Sequence, residues 1–215
     1  MLKYVTVTGT LKCLTGLRIG GSSGIVEIGG LDNPIIRDPL TEEPYIPGSS
    51  LKGKIRSLLE LDQGKISKNG GPCDCGECDI CLLFGTSAAT ETDQGPTRLI
   101  FRDCFLKEKS RDQLKKLQEK EGLNLTEVKT EVNINRWKAK SLSGPRQMER
   151  VPAGAEFEFR VDLRLLNEAD QKNKDNYIKL LERGFDLLQQ DALGGSGSRG
   201  YGRIYLVDLK YQLSD

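Results

Sequence analysis

Four cysteines within nine residues, C-D-C-G-E-C-D-I-C from Cys73 to Cys81, are the strongest chemical signal in this sequence. The spacing is C-x-C-x2-C-x2-C, and Gly70, Gly71, Pro72 and Gly76 around it let the chain turn back on itself. Cys73, Cys75, Cys78 and Cys81 can therefore close on one ion. Zinc suits a closed tetrahedron of thiolates, and an ion so held staples a segment too irregular to carry its own core. An iron–sulfur cluster is the competing occupant, because the spacing resembles cluster-binding runs. A pair of disulfides is the third arrangement, disfavoured where thiols stay reduced. Four thiolates leave no open coordination position, so the expected metal is structural rather than catalytic. Cys13 and Cys104 fall in predicted strands and read as small buried residues.

The chain contains no histidine, so general acid–base chemistry would have to fall to a carboxylate. One candidate stands in IGGLDNPIIRDP, residues 28–39, where Asp32 precedes Asn33 and Pro34. Asp-Asn-Pro is also an ordinary turn signature, and the residues alone leave both readings open. Asp38, in RDP, reads as a turn residue. Glu27, Glu42 and Glu43 are the other acids of this loop, and no spacing selects one as a second ligand.

Cations cluster in three places. In SSLKGKIR, Ser49, Ser50, Lys52, Lys54 and Arg56 crowd the start of a predicted helix, where backbone N–H groups favour anions. Lys52 and Arg56 are four apart and share a face away from Leu51 and Ile55. A bound phosphate chain explains this cluster, and a solvated basic face is the plainer alternative. GGSGSRGYGR, residues 194–203, offers a backbone that can approach phosphate closely, with Arg199 and Arg203 beside it. It lacks the Lys-Ser/Thr ending of a P-loop. From Lys129 to Arg150 the chain carries six basic residues against two acidic ones, together with its one tryptophan, Trp137. Such an arm can pair phosphate neutralisation with base stacking; alternatively it is a solvated hairpin with Trp137 packed on the body.

Elements that would position these groups follow from periodicity. Residues 3–14 alternate as a strand. Residues 15–48 form a long Gly- and Pro-rich loop, a length that is usually functional. A helix begins at Ser49 or Ser50 as N-cap, with Leu51, Ile55, Leu58 and Leu59 on its buried stripe. Residues 63–97 are an irregular insertion, RLIFRDCFL (98–106) a second strand, and the region near SRDQLKKLQEKEG a charged helix. TEVKTEVNINR and RQMERV can pair as a hairpin around SLSGP, within an arm at 123–152. EFEFRVDLRLL turns Phe157, Phe159, Val161, Leu163 and Leu165 one way. A helix follows with Tyr177, Leu180, Leu181, Phe185 and Leu188 along its stripe, and IYLVDLKY is the last strand. Without insertions the order is β-α-β-β-α-β, an α+β, ferredoxin-like (RRM-like) plan in a single domain, residues 1–215, with insertions at 63–97 and 107–152.

Net charge is +1 at pH 7, so bulk charge selects no partner. The longest apolar runs are too short to span a bilayer, and the alternating N-terminus lacks the apolar core of a signal peptide. No membrane association and a cytoplasmic location are expected.

Taken together, GLRIGGSSG, LDNPIIRDPLTEEPYIPGSSLKGKIRSLLE, the LFG of LLFGTSA, RLIFRD and GGSGSRGYG resemble one family, in the same order from about residue 5 to residue 210. It is the backbone subunit of type III-A CRISPR effectors, the Csm complex, within the RAMP superfamily. The resemblance implies an RRM-like core and copies stacked head to tail in a helical filament along a guide RNA. It also implies a β-hairpin thumb, here residues 123–152, that displaces a nucleotide pair of the guide–target duplex. Arg18, Ser49, Ser50, Lys52, Lys54, Arg56, Arg136, Arg146, Gly195 and Arg199 would contact RNA, and other Csm subunits would be partners. Asp32 matches the residue that cuts the complementary target RNA, with Mg2+ or a similar divalent ion offsetting charge. Asp32 would ligate that ion or accept the hydroxyl proton. Trp137, Ile134 and Met148 are candidates for the wedge. Relatives that process precursor guides with a histidine are excluded as models, since this chain has none. Two other readings remain: a non-catalytic filament-forming RNA-binding subunit with a structural zinc, and an unrelated zinc-stapled RNA-binding domain working alone.

Overall fold

The computed structural model describes residues 2–21, 34–67, 69–87, 94–122 and 125–214. In chain order the elements are β1 (Lys3–Cys13), α1 (Gly48–Asp62), α2 (Asp79–Phe84), β2 (Leu99–Phe101), α3 (Glu108–Glu121), β3 (Glu127–Glu131), β4 (Ile134–Asn135), β5 (Lys140–Ser141), β6 (Arg146–Arg150), β7 (Glu156–Leu165), α4 (Glu168–Gln190) and β8 (Ile204–Ser214). A single 3-10 turn occupies Gly197–Arg199.

The main sheet has the order β2-β7-β1-β8, with every neighbouring pair antiparallel. Alternation does what the strand period requires. Val5, Val7 and Leu11 of β1 and Phe157, Phe159, Val161, Leu163 and Leu165 of β7 are all buried on one face. Two helices cover that face. Leu51, Ile55, Leu58 and Leu59 of α1 and Tyr177, Leu181, Phe185 and Leu188 of α4 join the same core, and Phe185 meets Phe159 edge to face at 5.4 Å between centroids. Among the described residues, no helix is long and apolar enough to cross a membrane.

On the uncovered face, Asp162 of β7 accepts hydrogen bonds from Thr6 Oγ1 (2.9 Å), Arg102 Nε (2.9 Å) and Arg160 Nε (3.0 Å). Burial pushes its carboxyl up, but those three donors outweigh burial and hold it below the ordinary carboxylate value.

Three expectations change. The N-cap of α1 is Pro47, not Ser49 or Ser50, which lie inside the first turn. The orphan N–H of Gly48 is taken from afar by Asp103 Oδ1 at 2.7 Å, so no local hydroxyl is needed. The strand expected at 98–106 is regular only over Leu99–Phe101, because the register shifts by one residue before Leu106 bridges to Phe157, and Cys104 between them bridges to Ile46. The cysteine insertion carries a helix of its own, α2. Its exit is pinned to α4 by a buried ion pair, Arg98 Nε to Asp170 Oδ2 at 3.0 Å.

Candidate metal centre and nucleic-acid interface

Among the described residues, the sulfurs of Cys73, Cys75, Cys78 and Cys81 form a group in which every ligand atom lies within 4.8 Å of the others. Their separations are 3.6 Å (Cys73–Cys75), 3.8 Å (Cys73–Cys81), 3.8 Å (Cys75–Cys81) and 3.9 Å (Cys73–Cys78). A tetrahedron with Zn–S bonds of about 2.3 Å has edges of about 3.8 Å. A cluster places several atoms between its ligands and spreads them further, so these distances fit a single ion. All six cysteines are free, which removes the disulfide arrangement.

Local structure prepares the ligands. Cys78 caps α2, its Sγ accepting the N–H of Cys81. The backbone N–H of Glu77 first, then that of Cys78, draws the Cys75 thiol down to about 6 despite burial. Glu60 of α1 holds the loop's entrance, its Oε1 accepting both the Cys73 N–H (2.9 Å) and Arg56 Nε (2.8 Å). Arg56 Nη2 in turn donates to the Cys73 carbonyl at 2.6 Å. Cys13 and Cys104 are buried, and burial lifts both thiols to about 12.

The cations at the start of α1 therefore divide. Arg56 is committed to the cysteine loop rather than pointing outward, and Lys54 pairs with Asp191 at 3.1 Å. Lys52 stands beside Arg56 and Arg164. Burial first, then those two guanidiniums, lowers its pKa, the signature of a half-buried cation among cations. Ser49, Lys52, Arg56, Gly71 and Pro72 line a cleft of about 520 Å³ at this point.

A second junction forms where distant glycine-rich segments meet. The Arg18 carbonyl accepts the Gly195 N–H at 2.9 Å, the Gly16 carbonyl accepts that of Gly202 at 2.9 Å, and Leu14 donates to the Arg203 carbonyl. Gly194 has φ +77°, and a Cβ there would lie 2.2 Å from the Arg18 carbonyl oxygen, so only glycine fits. Arg18 and Gly195, far apart in sequence, are thus neighbours, and Arg199 follows Gly195 by four residues. On its other side the 14–21 segment bridges Leu17 to Val151, just past β6, and Gly20 to Ile35.

Strands β3 and β6 pair in register from Glu127 opposite Arg150 to Glu131 opposite Arg146. Tyr201 is 1% exposed and locks the Gly-rich loop to this base. Its hydroxyl donates to Glu131 Oε1 at 2.6 Å, while Lys129 Nζ and Arg150 lie 4.6 and 4.8 Å from its ring centroid. That hydrogen bond leads the causes that lower the Glu131 carboxyl, and Arg199 reaches its other oxygen at 3.3 Å.

The far end of the arm is different. β4 and β5 pair at Ile134–Ser141 and Asn135–Lys140, and Asn135 Oδ1 accepts the N–H groups of Trp137 and Lys138. Trp137 is 98% exposed at this tip, so it does not pack on the body. Arg136, Lys138, Lys140 and Arg146 are exposed with it. Ile134 is exposed as well, whereas Met148 is buried and cannot serve as a wedge.

Asp32 and Glu27 lie outside the described residues. Asp38 is the turn residue expected, its Oδ1 accepting the N–H groups of Leu40 and Thr41 at 2.9 and 3.0 Å. The Thr41 and Leu40 amides hold its carboxyl low. Glu43 is taken up by Arg111 at 2.7 Å. Sequence reasoning missed Tyr201, Glu60 and Glu149, the last of which anchors the residues following Asp32. One of two acids inside a basic arm and a tyrosine inside a glycine run were the available signals.

The antiparallel sheet and glycine-rich junction define a class. Residues 10–205 match the family model of the RAMP superfamily. The chain is 46% identical to the CRISPR system Cms endoribonuclease Csm3 of Methanothermobacter thermautotrophicus over 219 residues, 97% of this chain and 85% of that protein. It is 39% identical to the Csm3 of Streptococcus thermophilus over 207 residues, 96% of this chain and 88% of that one. A solved Csm3–Csm4 subcomplex of the type III-A CRISPR-Cas interference complex contains a similar chain, with TM-score 0.62, 32% identity, and coverage of 98% and 79%. The Csm3 structure from Methanopyrus kandleri shares the fold at TM-score 0.65, 23% identity, and coverage of 100% and 78%. This chain belongs to the RAMP superfamily and, within it, to the Csm3 family.

Proposed function

We propose that the chain is the repeating, guide-RNA-binding backbone subunit of a type III-A CRISPR effector, and that it cuts complementary target RNA at regular intervals through Asp32. Taking β1, α1, β2, β7, α4 and β8 as the core, we read an RRM-like βαββαβ domain with insertions at 63–97 and 107–152, the latter carrying the thumb. The observation that carries this reading is the junction at segment 14–21. There the Gly-rich loop with Gly195, the residues that follow the Asp32 loop, and the end of the basic hairpin are joined directly. RNA contacts would lie at Arg18, Gly195 and Arg199 by this junction, at Ser49, Ser50 and Lys52 at the start of α1, and at Arg136 and Arg146 on the arm. Arg56 would act mainly by holding the cleft, while Lys54 would reach RNA from its pair with Asp191. Partners are the guide RNA, the target RNA, further copies in a filament and other Csm subunits, in the cytoplasm.

The chemistry asks little of the protein's own acids and bases. The ribose 2′-OH attacks its neighbouring phosphate in line; the 5′-oxygen leaves with a proton, giving a 2′,3′-cyclic phosphate and a 5′-hydroxyl end. An ordinary Asp titrates near ~3.9 and is a weak base at neutral pH, so Asp32 serves chiefly as a ligand and positioner. A divalent ion such as Mg2+ bound there supplies charge neutralisation. Holding the splayed nucleotide near in-line geometry is the larger part of the task. The cysteine site holds one structural zinc, supported by its sulfur separations and closed ligand set.

The test is an effector reconstituted with a defined guide and an end-labelled complementary RNA. Asp32→Ala and chelator are each expected to abolish regularly spaced cuts while assembly and target binding persist. Equal cutting by the variant would leave the chain a non-catalytic RNA-binding subunit.

A further inference from the structure

Glu149 is the unexpected residue of the basic arm. It lies on β6, is 4% exposed, and spends its carboxylate on three donors. Oε2 accepts the backbone N–H of Ile35 at 2.9 Å. Oε1 accepts Arg37 Nη2 at 2.5 Å and Thr126 Oγ1 at 2.8 Å. Arg37 also donates to the Glu42 carbonyl at 2.7 Å, so one guanidinium ties Glu149 to the next turn of the same loop. A carboxylate is costly to bury unless its donors are fixed, and here all three are.

Those donors bracket a particular place in the chain. Ile35 follows Asp32 by three residues. The segment it starts is paired with residues 19–21: Gly21 donates to the Pro34 carbonyl and Ile36 to the Ile19 carbonyl. These contacts form a short stem whose two strands flank residues 22–33, Asp32 among them. One strand of the stem continues from Leu17, which exchanges two backbone hydrogen bonds with Val151 at the end of β6. The other is gripped by Glu149, two residues before Val151 on the same strand. Both strands of the stem are therefore fastened to the return strand of the hairpin.

We propose that Glu149 is a positioning residue for RNA cleavage: by binding the Ile35 N–H and Arg37, it fixes the stem of the Asp32 loop to the base of the hairpin at a constant separation. The hairpin would set which nucleotide is displaced, and Glu149 would set where the stem next to Asp32 stands relative to it. This inference rests on the reading of Asp32 as the cutting residue. It accounts for an acid at the base of a cationic arm, where any nearby phosphate would disfavour it unless it were buried and paired.

The test uses the same reconstituted effector under single-turnover conditions with saturating target. Glu149→Gln keeps shape and an acceptor but loses the charge facing Arg37. It is expected to slow cutting at least tenfold with target affinity unchanged, and to raise the Mg2+ concentration needed for half-maximal rate. Arg37→Met should slow cutting similarly, and the double variant should be no slower than the worse single, because the two act as one unit. Thr126→Val, which removes one donor and leaves the charge pair, should cost two- to threefold; it also keeps the idea testable should Glu149→Gln not assemble. Loss of target affinity in step with rate, or full-speed cutting by Glu149→Gln and Thr126→Val, would overturn the proposal. Asp32→Ala is run alongside. If it cuts normally, the reading of Asp32 fails; if it is inert while the Glu149 variants cut normally, only the positioning role fails.

Discussion

The cysteine loop and the base of the hairpin are held by opposite means. In the first, four thiolates from one short stretch converge, and Glu60 and Arg56 tie that stretch to α1. Nearly everything needed is local. In the second, residues from 14–21, 34–37, 126–151 and 194–203 meet through backbone hydrogen bonds and two buried knots, one around Tyr201 and one around Glu149. Nothing there is local. The cysteine region is built to keep a surface in place, the hairpin base to keep separate segments in register. The second is the kind of support that cleavage by positioning demands.

Removing the thiolates should give the largest effect and separate the two regions. Cys73→Ser with Cys81→Ser is expected to drop zinc, measured by elemental analysis, from one per chain to under about a tenth, since two ligands cannot close the shell. Guide affinity should fall with it, because Arg56 loses the Cys73 carbonyl that orients it. Per assembled complex, the cutting rate should change little. A matching loss of cutting rate would merge the two regions into one.

Next comes Trp137→Ala, at the exposed tip. Stability should stay within about 0.5 kcal/mol because the side chain packs against nothing. Target-RNA affinity should fall by about 1–3 kcal/mol if the indole stacks on a base. Fluorescence quenching of this single tryptophan on adding target checks the same contact.

Tyr201→Phe removes one hydroxyl bonded to a carboxylate. It should cost about 1.5 kcal/mol in urea unfolding, the range for a hydrogen bond to a charged group. The hairpin base should loosen to hydrogen exchange while the cysteine loop does not.

The smallest effect concerns pH. Asp162 is held below its ordinary value in the folded chain, so it binds fewer protons there than in the unfolded chain. Its contribution is complete above the ordinary carboxylate range and disappears as pH falls through the lowered folded value. Asp162→Asn should flatten that acidic limb of a stability–pH curve and leave the neutral-to-alkaline part unchanged in shape. Neither region contains Asp162, so both should respond alike.

The contrast between the regions also explains what the sequence revealed. Cysteine spacing is a local code, and Cys73, Cys75, Cys78 and Cys81 could be read directly. Alternation in β7 and the leucine stripe of α1 are local too, and both hold. The N-cap of α1 was misread because its partner, Asp103, is remote in sequence. Arg56 was read as an outward cation, since helical spacing cannot show that Glu60 and the Cys73 carbonyl are waiting for it. Met148 was a wedge candidate, yet it lies at the hairpin base and is buried. Glu149 and Tyr201 gave no periodic signal; their roles exist only once four distant segments meet.

On the proposed reading this chain cuts by positioning, and RNA supplies its own nucleophile. The most direct measurement replaces a single ribose of the target with its 2′-deoxy form at one expected cut position, and maps cuts by the wild-type effector on end-labelled RNA. Loss of cutting at that position alone, with the neighbouring cuts intact and cyclic phosphate at their ends, is the predicted result. Undiminished cutting at the deoxy position would contradict it, because water would then be the nucleophile and the site would need a base stronger than positioning implies.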